Sequence, residues 1–196
     1  MTRLAAIFLG VCLALLPTSA MALSFGFSAS YEEDGTTTGT NPDFYSFTND
    51  VLSETQILEI VLDLSGGLAV YDPIGAPFQL LGGDAVGFDG SFTTSGSTLL
   101  TLVFTDFDPG EIFLFGVETD DSGGGFTTGA DFAGAVATVT WVNGIAPPSL
   151  AVFTVDPGNS DRAVASNFTA TPEPGTFVLL AMGLVGLSLT QRRQRS

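Results

Sequence analysis

The chain has 196 residues, with 21 acidic against five basic side chains and no histidine, for a net charge of −16. That balance excludes nucleic acid and anionic surfaces as partners, because the protein's own field repels them. With no lysine and a single cysteine, Cys12, close to the N-terminus, the usual ligand sets for zinc, copper, haem and iron–sulfur clusters are missing, as are Ser-His, Cys-His and Ser-Lys nucleophile pairs.

In chain order the first element is a leader. Arg3 supplies its charge, Leu4 to Leu16 an apolar run, and Ala20-Met21-Ala22 an A-x-A cleavage site. The pattern predicts a signal peptide over 1–22, cut after Ala22, that delivers the chain to the secretion machinery. Cys12 in Leu9-Gly10-Val11-Cys12 offers a lipidated alternative, but Val11 is a poor residue before such a cysteine and the apolar run continues past it. Once the leader is removed no cysteine remains, so packing and not disulfides must stabilise the exported domain.

Residues 23–157 read as an antiparallel β-sandwich or jelly roll, all-β in class. Leu58, Ile60, Leu62 and Leu64 alternate with Ile57, Glu59, Val61 and Asp63, and Leu100, Leu102 and Phe104 alternate with Thr101, Val103 and Thr105, which is the period of a strand with one buried face. Leu23 to Tyr31, Phe44 to Phe47, Glu111 to Val117, Ala135 to Val142 and Leu150 to Val155 are further strand candidates, set apart by Gly, Pro, Asp and Ser clusters at sandwich spacing. No soluble helix is expected. Glu32 to Asn41, Ser65 to Gly90 and Ser122 to Gly129 read as loops. Asn143-Gly144 reads as a tight hairpin turn followed by only a short return strand because of Pro147-Pro148. Trp141 could stack a sugar ring or fill the core, and in a Phe-rich sandwich the core is favoured; Phe25, Phe27, Phe44, Phe47, Phe113 and Phe115 carry the same two readings. Residues 158–171 are polar and are expected to link or close the domain.

Between Leu23 and Thr171 one arginine, Arg162, faces 20 acidic residues, a net charge of −19. Solubility explains most of this. The densest acids flank the Leu99–Thr105 strand and the Glu111–Val117 strand expected to return beside it as a hairpin: Asp106, Asp108 and Glu111 around Pro109-Gly110, then Glu118, Asp120 and Asp121. These groups, with Asp131, could supply hard oxygen ligands to calcium. Acidic turns are also simply solvated loops, and the spacing fits neither an EF-hand nor a glycine-rich β-roll. No other cofactor is expected. A glycoside hydrolase would need two of these carboxylates across one cleft, and nothing in the spacing pairs any two; no enzymatic activity is expected.

The last element is a tail over 172–196. Pro172-Glu173-Pro174 precedes an uncharged apolar run from Gly175 to Thr190, and Arg192, Arg193 and Arg195 follow it. As a helix the run would extend roughly 24 Å, thin for a hydrocarbon core of roughly 30 Å. The arginines would hold its end on the cytoplasmic side and leave the rest of the chain outside.

This order of Pro-Glu-Pro, short apolar helix and arginine cluster resembles the PEP-CTERM sorting signal of Gram-negative bacteria. The resemblance covers about an eighth of the chain and implies processing by an exosortase, a membrane-embedded transpeptidase-like protease, so the transmembrane helix at 175–190 would be a transient inner-membrane tether. It further implies deposition at the envelope surface or in a biofilm's exopolysaccharide matrix, with a structural or adhesive role. A calcium-dependent carbohydrate-binding module is the alternative, and a carboxylate glycosidase a second. Asp106 to Gly110 and Thr127 to Trp141 also resemble segments of other proteins of this kind, implying a shared β-module.

Overall fold

The computed structural model describes residues 23–33, 43–72, 78–84, 89–91, 97–123, 127–142, 144 and 146–170. The leader over 1–22, the tail over 172–196 with its apolar run, and most of the Glu32 to Asn41 loop lie outside these residues. Among the described residues no helix is long and apolar enough to cross a membrane.

The strands are β1 (Ser24–Glu32), β2 (Phe44–Asn49), β3 (Ile57–Asp63), β4 (Ala69–Tyr71), β5 (Gln79–Gly83), β6 (Asp89–Ser91), β7 (Leu99–Val103), β8 (Ile112–Gly116), β9 (Thr119–Asp121), β10 (Val136–Trp141), β11 (Ser149–Val152), β12 (Thr154–Asp156) and β13 (Asn159–Ala170), with a one-turn helix α1 (Gly129–Phe132) before β10. A six-stranded sheet runs β12-β13-β1-β2-β8-β5, a five-stranded sheet β11-β10-β3-β7-β6, and β4-β9 form a two-stranded ribbon. Pairing is antiparallel, as in β1–β2 with Tyr31 opposite Tyr45, and β3–β7 with Ile60 opposite Leu102. For β13 and β1 the direction follows from two contacts: Gly26 lies against Phe168, and the Glu33 N–H donates to the Asp161 carbonyl.

Alternation places the core as the sequence leads one to expect. On β1, Phe25, Phe27, Ala29 and Tyr31 are buried while Ser28 and Ser30 turn outward. Tyr45 and Phe47, Leu100 and Leu102, Phe113 and Phe115, and Ala137, Val139 and Trp141 continue the same inner layer. The sheets meet through rings: Phe25 on Trp141 at 5.6 Å and Phe104 on Phe113 at 4.9 Å between centroids. Trp141 is therefore core, and its Nε1 donates to Ser149 Oγ at 3.0 Å, which satisfies the one polar atom a buried indole brings in. Of the six phenylalanines with two readings, only Phe44 is exposed.

Several local expectations change. Ile57 is buried and Leu58 exposed, against strict alternation, because the register with β10 shifts there, with Trp141 opposite Ile57 and Thr140 opposite Glu59. That bulge inserts one residue and flips the parity upstream of Glu59. The strands on either side of Asp106 are not a hairpin: β7 pairs with β3 and β6, and β8 with β2 and β5. The chain crosses between sheets because Phe104 and Phe107, both fully buried and 5.0 Å apart, carry it through the core. The Ser65 to Gly90 stretch is not one loop but contains β4 and β5 and reaches into β6. The Asn143-Gly144 turn is wider than a two-residue hairpin, since Val139 pairs with Ser149 and β11 starts only after Pro147-Pro148; Asn143 itself is outside the described residues. One helix does form, α1, held by a capping box. Residues 159–170 form β13, the longest strand, between β12 and β1.

Candidate functional site

The carboxylates singled out in the sequence fall into three places. Asp106 and Asp108 share one partner: Gln56 Nε2 donates to Asp106 Oδ1 at 3.0 Å and to Asp108 Oδ1 at 2.7 Å. Glu111 accepts from the Asp108 N–H at 2.7 Å, closing the turn that Gly110 makes with φ of +88°. This group is a laced turn, with one oxygen of each carboxylate engaged by an amide or a backbone N–H.

Asp131 sits apart, on α1. Its Oδ2 accepts from Thr128 N at 2.9 Å and Thr128 Oγ1 at 2.7 Å, so the side chain caps the helix. Glu118, Asp120 and Asp121 lie in and beside β9, where Asp121 Oδ1 accepts from the Gly123 N–H at 2.5 Å. Among the described residues no group of three or more carboxylates is placed to share a metal ion.

Asp120 is nonetheless electrostatically distinct. Val70 lies opposite Asp120 in the ribbon, and the next residue but one, Asp72, shares that face. Partial burial, then the neighbouring charge of Asp72, raise the Asp120 carboxyl above its ordinary value of 3.8. A carboxyl whose folded-state pKa is raised binds its proton more tightly in the folded than in the unfolded chain. Folding is then penalised once the group ionises, fully above the raised pKa and not at all below about 3.8. Asp120→Asn is therefore expected to raise the melting temperature at pH 7 and to leave it unchanged at pH 3, read by paired thermal melts; a stabilisation independent of pH would contradict this cause.

Sequence inspection did not find a buried polar centre. Asp43, 3% exposed, accepts from the Thr119 N–H at 2.9 Å and closely from Thr119 Oγ1, which also lies 3.3 Å from Tyr31 Oη. Tyr31 Oη donates to the Thr127 carbonyl at 3.1 Å. Burial first, then the Asp43 charge, hold the Tyr31 hydroxyl far above its usual range, and burial does the same for Tyr45 and Tyr71. All three stay protonated at any physiological pH. The centre ties β1, β9 and the segment before α1 together, a role that fits a domain without disulfides.

A second feature also escaped the sequence. On the outer face of the six-stranded sheet lies a groove of about 510 Å³, lined by Ser28 and Ser30 of β1, Ser46 and Thr48 of β2, Thr154 of β12, and Arg162, Val164 and Ser166 of β13. The register explains the gathering: Ser28 is opposite Thr48, and Ser30 opposite Ser46. Their sequence separation hides them, although each is an outward position in an alternating strand. No carboxylate is among the described lining residues, and the lining includes Arg162, the single cation between Leu23 and Thr171.

The described fold is all-β, and the C-terminal segment carries a sorting signal. Residues 170–193 match the PEP-CTERM protein-sorting motif. The match takes in Pro172, Glu173, Pro174, Arg192 and Arg193, with Arg195 just beyond it. It marks the chain as an exported bacterial protein that passes the membrane and implies processing by an exosortase. No curated protein and no solved structure matches the chain.

Proposed function

We propose that the chain is a non-enzymatic structural or adhesive component of the cell envelope surface or of the extracellular polysaccharide matrix of a Gram-negative, biofilm-forming bacterium, set in place by exosortase processing. The sorting motif at 170–193 carries this reading. Three other features support it: a sandwich with a ring-packed core, carboxylates engaged in a turn and in a helix cap, and an outer groove lined by hydroxyls in place of acids. Such a domain acts by being placed and by binding, not by turnover.

The test is intact mass and fractionation in the native host with and without exosortase. The expected mature species begins at Leu23, lacks the residues after the Pro-Glu-Pro, and leaves the inner membrane only when the exosortase is present. Joint substitution of Pro172, Glu173 and Pro174 by alanine is expected to abolish processing and retain nearly all the protein in the inner membrane. Release of that variant at the normal rate would overturn the assignment.

A further inference from the structure

We propose that the groove on the outer face of the six-stranded sheet binds a neutral polysaccharide chain, with Arg162 in its lining and Phe168 just outside it, two residues beyond Ser166 on the same face of β13. The inference deepens the matrix reading by naming the ligand class and the residues that would hold it.

Donor and acceptor chemistry points to the ligand. Six hydroxyl side chains line the groove. Those of Ser28, Ser30, Ser46, Thr48 and Ser166 make no hydrogen bond to any described residue. A hydroxyl both donates and accepts, so a patch of unengaged hydroxyls complements a ligand whose own groups do both, as a sugar's do. Arg162 adds a fork of donors: its Nη1 is 3.5 Å from Asp156 Oδ2, while its Nε is buried without a partner among the described residues. The side chain as a whole is 40% exposed, so its terminal N–H groups, and not Nε, are the donors a ligand oxygen would meet.

Phe168 supplies the apolar end. It lies against Gly26, where an added Cβ would come within 2.4 Å of Cδ2, and it remains 49% exposed. Arg162, Val164, Ser166 and Phe168 share one face of β13, so the row from the guanidinium to the ring spans about 20 Å at strand spacing. That length suits a chain of several sugar rings, the last laid on the aromatic face.

Charge and topology set aside other occupants. A domain of net charge −19 repels a polyanion. A peptide adding as a strand needs an open edge, which the groove meets only at the three-residue β12, whereas β13, β1 and β2 each have a partner on both sides.

The experiment is affinity electrophoresis of the full chain, in a detergent without a sugar headgroup, through gels containing a neutral β-glucan, a galactomannan or dextran, with polygalacturonate as the acidic comparator. At least one neutral polymer should retard the protein. Arg162→Gln and Phe168→Ala should each weaken that retardation at least tenfold, while Thr101→Val on the other sheet should not. Near-UV circular dichroism confirms that each variant is folded, and the exposed Phe168 keeps the test valid if Arg162→Gln fails to fold. Retardation by none of the neutral polymers, by polygalacturonate alone, or equally in all variants would overturn the proposal. None of these results bears on exosortase processing, which the host fractionation reads separately.

Discussion

Phe115→Ala is expected to be among the most damaging single changes to the folded domain, at about 3–5 kcal/mol. The ring is fully buried and, among the described residues, touches four others: Tyr45 at 4.7 Å and Phe78 at 5.2 Å, both stacked, Phe113 at 5.6 Å and Phe47 at 6.2 Å. These neighbours come from β2, from β8 itself and from the residue before β5, so none can fill the space without leaving its own register. The cavity would therefore persist, and cavity volume is what separates a costly truncation from a mild one. Against a total stability of about 5–15 kcal/mol, such a loss leaves the fold marginal. Trp141, buried and the single tryptophan, reports the transition in urea: the midpoint should fall sharply with the slope unchanged. A shift as small as that of a surface substitution would mean that the aromatic layer repacks freely.

Gly134→Ala is expected to cost roughly 3 kcal/mol or more, by a different route. Gly134 has φ of +98°, outside what a side chain readily accepts, and a Cβ there would lie 2.3 Å from the Gly66 carbonyl oxygen. The approach is mutual, since a Cβ on Gly66 would meet the Gly134 oxygen at 2.1 Å. Backbone strain and overpacking each contribute about 1–3 kcal/mol, and two backbones cannot rotate away as a flexible side chain would. Gly144 is the comparison: its φ is +60° but nothing lies within 4 Å of the added carbon. Gly144→Ala should cost only about 1–2 kcal/mol. Equal losses at the two glycines, measured by urea unfolding, would show that torsion alone and not the contact between turns sets the cost.

The contrast explains which parts of the fold were legible. Wherever one face of a strand is buried against large residues, as in β1, β7, β8 and β10, the period of two is plain in the sequence. It fails at Leu58 because a bulge changes parity without leaving a mark in composition. It fails in β13 because the inner positions, Ala163 and Ala165, are small; the strand is stabilised by its place between two ladders more than by apolar bulk. β4, β5 and β6 are short pieces in a glycine-rich stretch, ordered by partners far along the chain. α1 is a single turn, and its signature, Thr128 three residues before Asp131, spends the carboxylate that a calcium reading would use. The same reasoning holds for the sites. Acidic residues announce themselves one by one, but which oxygens are already engaged depends on Gln56, distant in sequence. The hydroxyl groove is assembled from four strands and has no local pattern at all.

The position of β13 has a mechanical consequence. Its last residue, Ala170, is also the first of the sorting motif, so any tension transmitted through the tail enters the domain at the end of this strand. Near that end β13 is laddered to β1, with Gly26 beside Phe168, while β12 joins it only from Val164 backwards. A pull would open the hydrogen bonds of the first stretch in succession, and then meet a strand clamped along both edges. The domain thus has a compliant collar next to the sorting motif and a stiffer body behind it, so a modest load would be absorbed by unzipping a few residues before the aromatic core is disturbed.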